Sequence, residues 1–145
     1  MAAISCTCPS STTVNFADGA GLDFTTAGSD GFCVGFVAGG EVQDIRPVYA
    51  PGEAGAGTQN FVGGELDIEM RITYVDSTEL GCLTNFDTDC YNLAAGAFSL
   101  AIGGTVRTYN GCYLVGKPKL EQARATGIAS TFAASASFSI KCVRP

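Results

Sequence analysis

The sequence predicts an all-β fold: an antiparallel β-sandwich or barrel with one long loop and at most one short helix. Three observations carry that prediction. Apolar and polar residues alternate cleanly through two long stretches, 65–75 and 128–143, and period two is the pattern of a strand with one buried and one wet face. The chain holds 19 glycines among many Ala, Ser and Thr residues, a composition of turns and small-residue strands. Tight-turn dipeptides separate the apolar runs. At 145 residues the chain fits one domain, 1–145, long enough to bury a core.

In chain order, "MAAISCTCPSS" (1–11) reads as a mobile N-terminal segment. It has neither the basic start nor the apolar stretch of a signal peptide, so synthesis and folding in a reducing cytosol are expected. Strands follow at "TTVNF" (12–16), "FCVGFVA" (32–38) and "EVQDIRPVYA" (41–50). Glycine and proline in "APGEAGAGTQNFVGG" (50–64) predict a long irregular loop. Next comes the most regular segment, where Leu66, Ile68, Met70, Ile72 and Tyr74 alternate with Glu65, Asp67, Glu69, Arg71 and Thr73. Residues 76–95 break the alternation and allow a helical turn or two.

Three further strands are expected at 97–103, 105–109 and 112–116. Gly103-Gly104 joins the first two at two-residue hairpin length, and Asn110-Gly111 gives a second tight turn. In the final run Ile128, Phe132, Ala134, Ala136, Phe138, Ile140 and Cys142 share one face, opposite small and hydroxylated residues. A mean strand is about five or six residues. Two that run well past this length, with small polar outer faces, suggest a sheet that continues beyond one subunit.

The chemistry is notable for what it omits. There is no histidine, which removes the commonest general base, the Ser–His and Cys–His pairs and the usual transition-metal ligand. Seven cysteines show no paired C-x-x-C spacing. They read mostly as buried free thiols, Cys6 and Cys8 as incidental ones, with a Cys82–Cys90 bridge left open. Asp67 and Glu69 share a strand face as a glycosidase pair would, but no tryptophan and few tyrosines are present to line a sugar cleft. A charged surface is the simpler reading. Asp87, Asp89 and Asn92 offer oxygen ligands without the glycine and terminal glutamate of a calcium loop. Neither "GFVAGGE" nor "GEAGAGTQ" matches a phosphate-binding loop.

A net charge of −6 and eight scattered basic residues argue against binding nucleic acid through its phosphates. No apolar run approaches the roughly 20 residues of a membrane helix. The expectation is a non-catalytic structural protein with no cofactor and no metal.

The order of these elements resembles the tail tube (major tail) proteins of tailed bacteriophages. The resemblance spans residues 32–143: a strand pair (32–50), a glycine-rich loop (50–64), a long alternating strand, an irregular helical segment, and a hairpin leading through "YNGCYLVGKPKLEQARATG" into a long strand. It implies a β-sandwich assembling into homo-oligomeric rings that stack into a tube within a virion, put together in the host cytoplasm. Partners would be other copies, other virion proteins, and DNA passing without specific binding. Long strands of neighbouring subunits would join into one barrel. Pro51, Gly52, Glu53, Gly55, Gly57, Gln59 and Asn60 would form a loop ordered by the adjacent ring, and Glu65, Asp67 and Glu69 an acidic lumen face that repels DNA. Two alternatives stand beside it: a trimeric capsid decoration protein, and a secreted β-rich adhesin or carbohydrate-binding module with disulfides.

Overall fold

The computed structural model describes residues 3–28, 30–39, 66–103 and 107–142, together with the backbone of 43–48 and 58–63. Eleven strands and one helix follow one another: β1 (Ile4–Thr7), β2 (Thr13–Asp18), β3 (Gly31–Ala38), β4 (Gln43–Val48), β5 (Thr58–Gly63), β6 (Leu66–Asp76), α1 (Glu79–Ala94), β7 (Phe98–Ile102), β8 (Arg107–Leu114), β9 (Lys119–Leu120), β10 (Arg124–Ala125) and β11 (Phe132–Cys142).

Seven of these close a barrel in the order β11-β6-β3-β2-β1-β7-β8, and β8 returns to β11. A closed ring of odd strand number cannot be antiparallel throughout. The odd step falls between β2 and β3, which pair in parallel from Phe16↔Gly31 to Asp18↔Cys33. The chain leaves β2 through a single 3-10 turn, Gly19–Gly21, capped by the Asp18 side chain, which accepts from the Ala20 amide at 2.9 Å. Here glycine is a requirement: a Cβ on Gly19 would stand 2.1 Å from the Cys33 carbonyl oxygen.

The long strands are used up inside one chain. β6 and β11 pair with each other through eleven residues, from Phe132↔Asp76 to Cys142↔Leu66. The other edge of β11 is stitched in pieces by β8, β9 and β10. Strand length therefore gives no reason to invoke a sheet shared between subunits, since the barrel closes without one.

The inward residues of β6 and β11 meet Ile4, Val14, Phe16, Leu100 and Tyr109 in one continuous core. Side chains fill the barrel, so it encloses a packed interior and no channel. α1 connects β6 to β7, and its contacts reach β6, β11 and β8 on one side of the ring and β2 on the other. It thus lies across one mouth of the barrel. Its Phe86 ring sits 5.7 Å from Phe138 and edge-on to Tyr74 at 6.1 Å.

Several expectations are corrected. Residues 4–7 are no loose terminus but a barrel strand between β2 and β7, with Ile4 and Cys6 buried. The helix runs 16 residues, more than a turn or two. Thr78 starts it by accepting from the Gly81 amide at 2.9 Å. Asn110-Gly111 is not a hairpin turn. It lies within β8, where two residues between Tyr109 and Cys112 oppose the single residue between Leu100 and Phe98, and the positive φ of Gly111 accommodates this bulge. The last β7–β8 pair is Ile102↔Arg107, so four residues separate the strands instead of two, and Gly104 lies outside the described residues. β11 starts at Phe132, because 128–131 form a turn with Ala129 and Ser130 at positive φ and Ile128 exposed.

Candidate functional site

Asp67 and Glu69 project outward from β6, as the alternation requires, and both are exposed. The register surrounds them with a mixed face. Lys141 stands opposite Asp67 and Ser139 opposite Glu69 on β11, Val37 stands opposite Glu69 on β3, and Arg71 continues the same row. In the described part of this surface two carboxylates share the face with two cations. Glu65 lies outside the described residues. Neither carboxylate lines the described grooves beside α1, β10 or the β1–β2 pair.

The helix removes the loop that a calcium site at Asp87, Asp89 and Asn92 would have needed. Asp87, Asp89 and Asn92 all lie in α1, where residues two apart point about 200° away from each other. Asp87 faces solvent, whereas Asp89 turns inward and accepts a hydrogen bond from the Tyr74 hydroxyl at 2.7 Å. Among the described residues no group of three or more Cys, Asp or Glu is arranged to hold a metal. Among the described residues Asp89 is the carboxyl with a strongly raised pKa. Burial pushes it up to about 6, against the opposing pull of the Tyr74 hydrogen bond.

Six of the seven cysteines are buried and Cys90 is partly so. Desolvation raises Cys90 to about 12 and moves Cys6, Cys8, Cys33, Cys82, Cys112 and Cys142 in the same direction, which keeps them protonated and poorly nucleophilic. Cys82 and Cys90 cannot bridge, because eight residues of helix set them about 12 Å apart along the axis.

The feature that stands apart from the barrel is an arm. β4 and β5 form their own two-stranded antiparallel sheet, six pairs from Gln43↔Gly63 to Val48↔Thr58. The expected loop at 50–64 is thus corrected over 58–63, where Gln59 and Asn60 pair with Pro47 and Arg46. Pro51, Gly52, Glu53, Gly55 and Gly57 lie outside the described residues. The arm springs from β3, whose outer surface exposes Val34 and Val37, the latter 66% accessible.

A second apolar surface lies between α1 and the segment after β9. Leu80, Leu83, Leu120 and Ala123 line a groove of about 440 Å³ edged by Glu79 and Glu121. Sequence reasoning missed both surfaces. The helix was signalled by the spacing Cys82, Phe86, Cys90, Leu93, and the arm by strand-like residues flanking the glycine-rich run. No protein-family model matches the chain, and no curated protein matches it either.

Proposed function

We propose that this protein is a non-catalytic virion subunit that assembles with copies of itself, specifically a tail tube subunit whose stacked rings let DNA pass. The observation that carries the reading is the β4–β5 arm, a six-pair hairpin whose ladder, among the described residues, joins no other strand. An isolated two-stranded hairpin is marginal in water and gains stability when its faces are covered. A neighbouring copy would supply that cover, with exposed Val34 and Val37 at the arm's root adding apolar contact.

Because the barrel interior is packed, any conduit would lie between copies, walled by outer strand faces. The face bearing Asp67, Glu69, Ser135, Ser137 and Ser139 suits such a wall: its residues are short, acidic or hydroxylated, and one of the two cations in it, Lys141, stands opposite Asp67. With a net charge of −6 on each copy, the assembly would not hold a phosphate backbone.

Negative-stain microscopy of the purified chain at rising concentration tests the proposal. Rings or tubes are expected. Replacing residues 43–63 by a short glycine-serine linker should abolish them while the circular dichroism of the barrel persists. A chain that stays monomeric at every concentration would sink the reading, and a trimer that binds only to capsid shells would point to a decoration protein instead.

A further inference from the structure

The β8–β11 junction is the step at which the barrel closes, and it is short: three residue pairs, Ile140↔Leu114, Lys141↔Tyr113 and Cys142↔Cys112. The last of these sets two cysteines directly across from each other. Their sulfur atoms lie 3.1 Å apart, and both residues are fully buried. Residues directly opposed on antiparallel strands have Cα atoms about 4.5–5.5 Å apart, within the range that a disulfide spans. No other pair of thiols in the chain approaches so closely in the hydrogen-bonding pattern; Cys82 and Cys33 instead donate to backbone carbonyls.

We propose that Cys112 and Cys142 are a modification site, a dithiol that a small-molecule disulfide such as glutathione disulfide oxidises to a cross-strand bond locking the barrel seam. One thiol, deprotonated, attacks a sulfur of glutathione disulfide, forming a mixed disulfide and releasing one glutathione thiolate. The other cysteine, deprotonated in turn, attacks the mixed disulfide at the protein sulfur. The Cys112–Cys142 bond forms and the second glutathione leaves. The two protons from the cysteines end on the two glutathione thiols, so the protein loses two hydrogens and the oxidant gains them.

Burial governs when this happens. In the closed barrel both thiols are shielded and held protonated, so exchange proceeds while the seam is open, during folding or local unfolding. Once formed, the bond closes a loop of about 30 residues, and its effect falls mainly on the unfolded chain.

The test uses the full chain. It is refolded with a glutathione/glutathione disulfide couple, or with dithiothreitol, then denatured, alkylated and digested for mass spectrometry. Oxidised protein should show five alkylated cysteines, two fewer than the seven present, and one cross-linked species joining the Cys112 and Cys142 peptides. Its thermal midpoint should exceed that of the reduced form by about 10 °C. Adding glutathione disulfide to the already folded, reduced chain should give the same product at least tenfold more slowly. Cys142→Ala should lose the bond and the thermal gain, and Cys82→Ala should keep both. Seven alkylated cysteines after oxidative refolding, or bonds scattered among other cysteines, would overturn the proposal without recourse to any variant.

Discussion

The two edges of β11 are held in opposite ways. Along one edge β6 pairs with it residue for residue, eleven in a row and without a bulge. Along the other the chain returns in fragments: β8 covers 140–142, β9 covers 136–137 and β10 covers 132–133. Single backbone bonds from Val115 to Ser139 and from Glu121 to Ser135 fill the gaps. The residues of β11 are the same for both edges, so the contrast comes from the partners. β6 alternates buried and exposed residues from Leu66 to Ile72 and keeps its ladder unbroken to Asp76, whereas the 115–131 segment contains Pro118, Gly116 and Gly127, the glycines at positive φ, and breaks its ladder each time. A continuous ladder shares its core side chains along its length. A stitched edge depends on individual anchors, and its pieces can open singly.

The largest effect should come from the core residue on which the continuous edge centres. Phe138 pairs with Met70 and contacts the Phe16 and Phe86 rings at 5.9 and 5.7 Å. Phe138→Ala should cost about 3–5 kcal/mol in urea denaturation, and a loss under 1 kcal/mol would mean that this core is not the barrel's keystone. On the stitched edge the anchor is Thr131, which is buried. Its hydroxyl lies 2.8 Å from the Thr126 hydroxyl and also reaches the Phe24 carbonyl. Thr131→Ala should cost about 1–3 kcal/mol. Hydrogen exchange should show the loss concentrated at 119–133, with the β6–β11 amides still the slowest; uniform acceleration would erase the distinction between the edges.

The smallest expected effect concerns the helix lying over both edges. Asp89 has a folded acidity raised from the ordinary 3.8 to about 6. The folded state therefore holds its proton more tightly than the unfolded chain does. That contribution is fully present below about 3.8 and is lost as pH rises through about 6. Two units correspond to roughly 3 kcal/mol. Partial solvent access reduces this to about 1–2 kcal/mol. Asp89→Asn keeps an acceptor for Tyr74 and should flatten stability between pH 4 and 6. An unchanged pH profile would show that another group carries the dependence.

The difference between the edges also explains what could be read in advance. β6 and β11 announced themselves because each buries one face along its full length, which imposes period two on the sequence. β1 did not, because two of its inward-side positions are filled by Cys6 and, just beyond it, Cys8, whose small thiols resemble incidental residues and yet pack as apolar ones. α1 was underestimated for the same reason: Cys82 and Cys90 belong to its inner stripe. Asn110-Gly111 has the composition of a turn, and only the pairing of two residues against one on β7 reveals a bulge. Of the proposed surface, Asp67 and Glu69 were correctly placed outward. Their cationic neighbour Lys141 was not foreseen, since a strand register brings together residues 74 positions apart.

The continuous edge has a consequence for synthesis. β6 is made early, and its partner emerges only after the helix and four further strands have been translated. Throughout that interval a nascent chain carries an eleven-residue strand with one apolar face and one unsatisfied row of amides, the form most ready to pair with another copy of itself. Nascent chains close together on one messenger would meet in that state. The outward Asp67, Glu69 and Arg71 would then matter before the barrel exists, as charged residues on an open strand of the kind that discourages one chain from adding to the next.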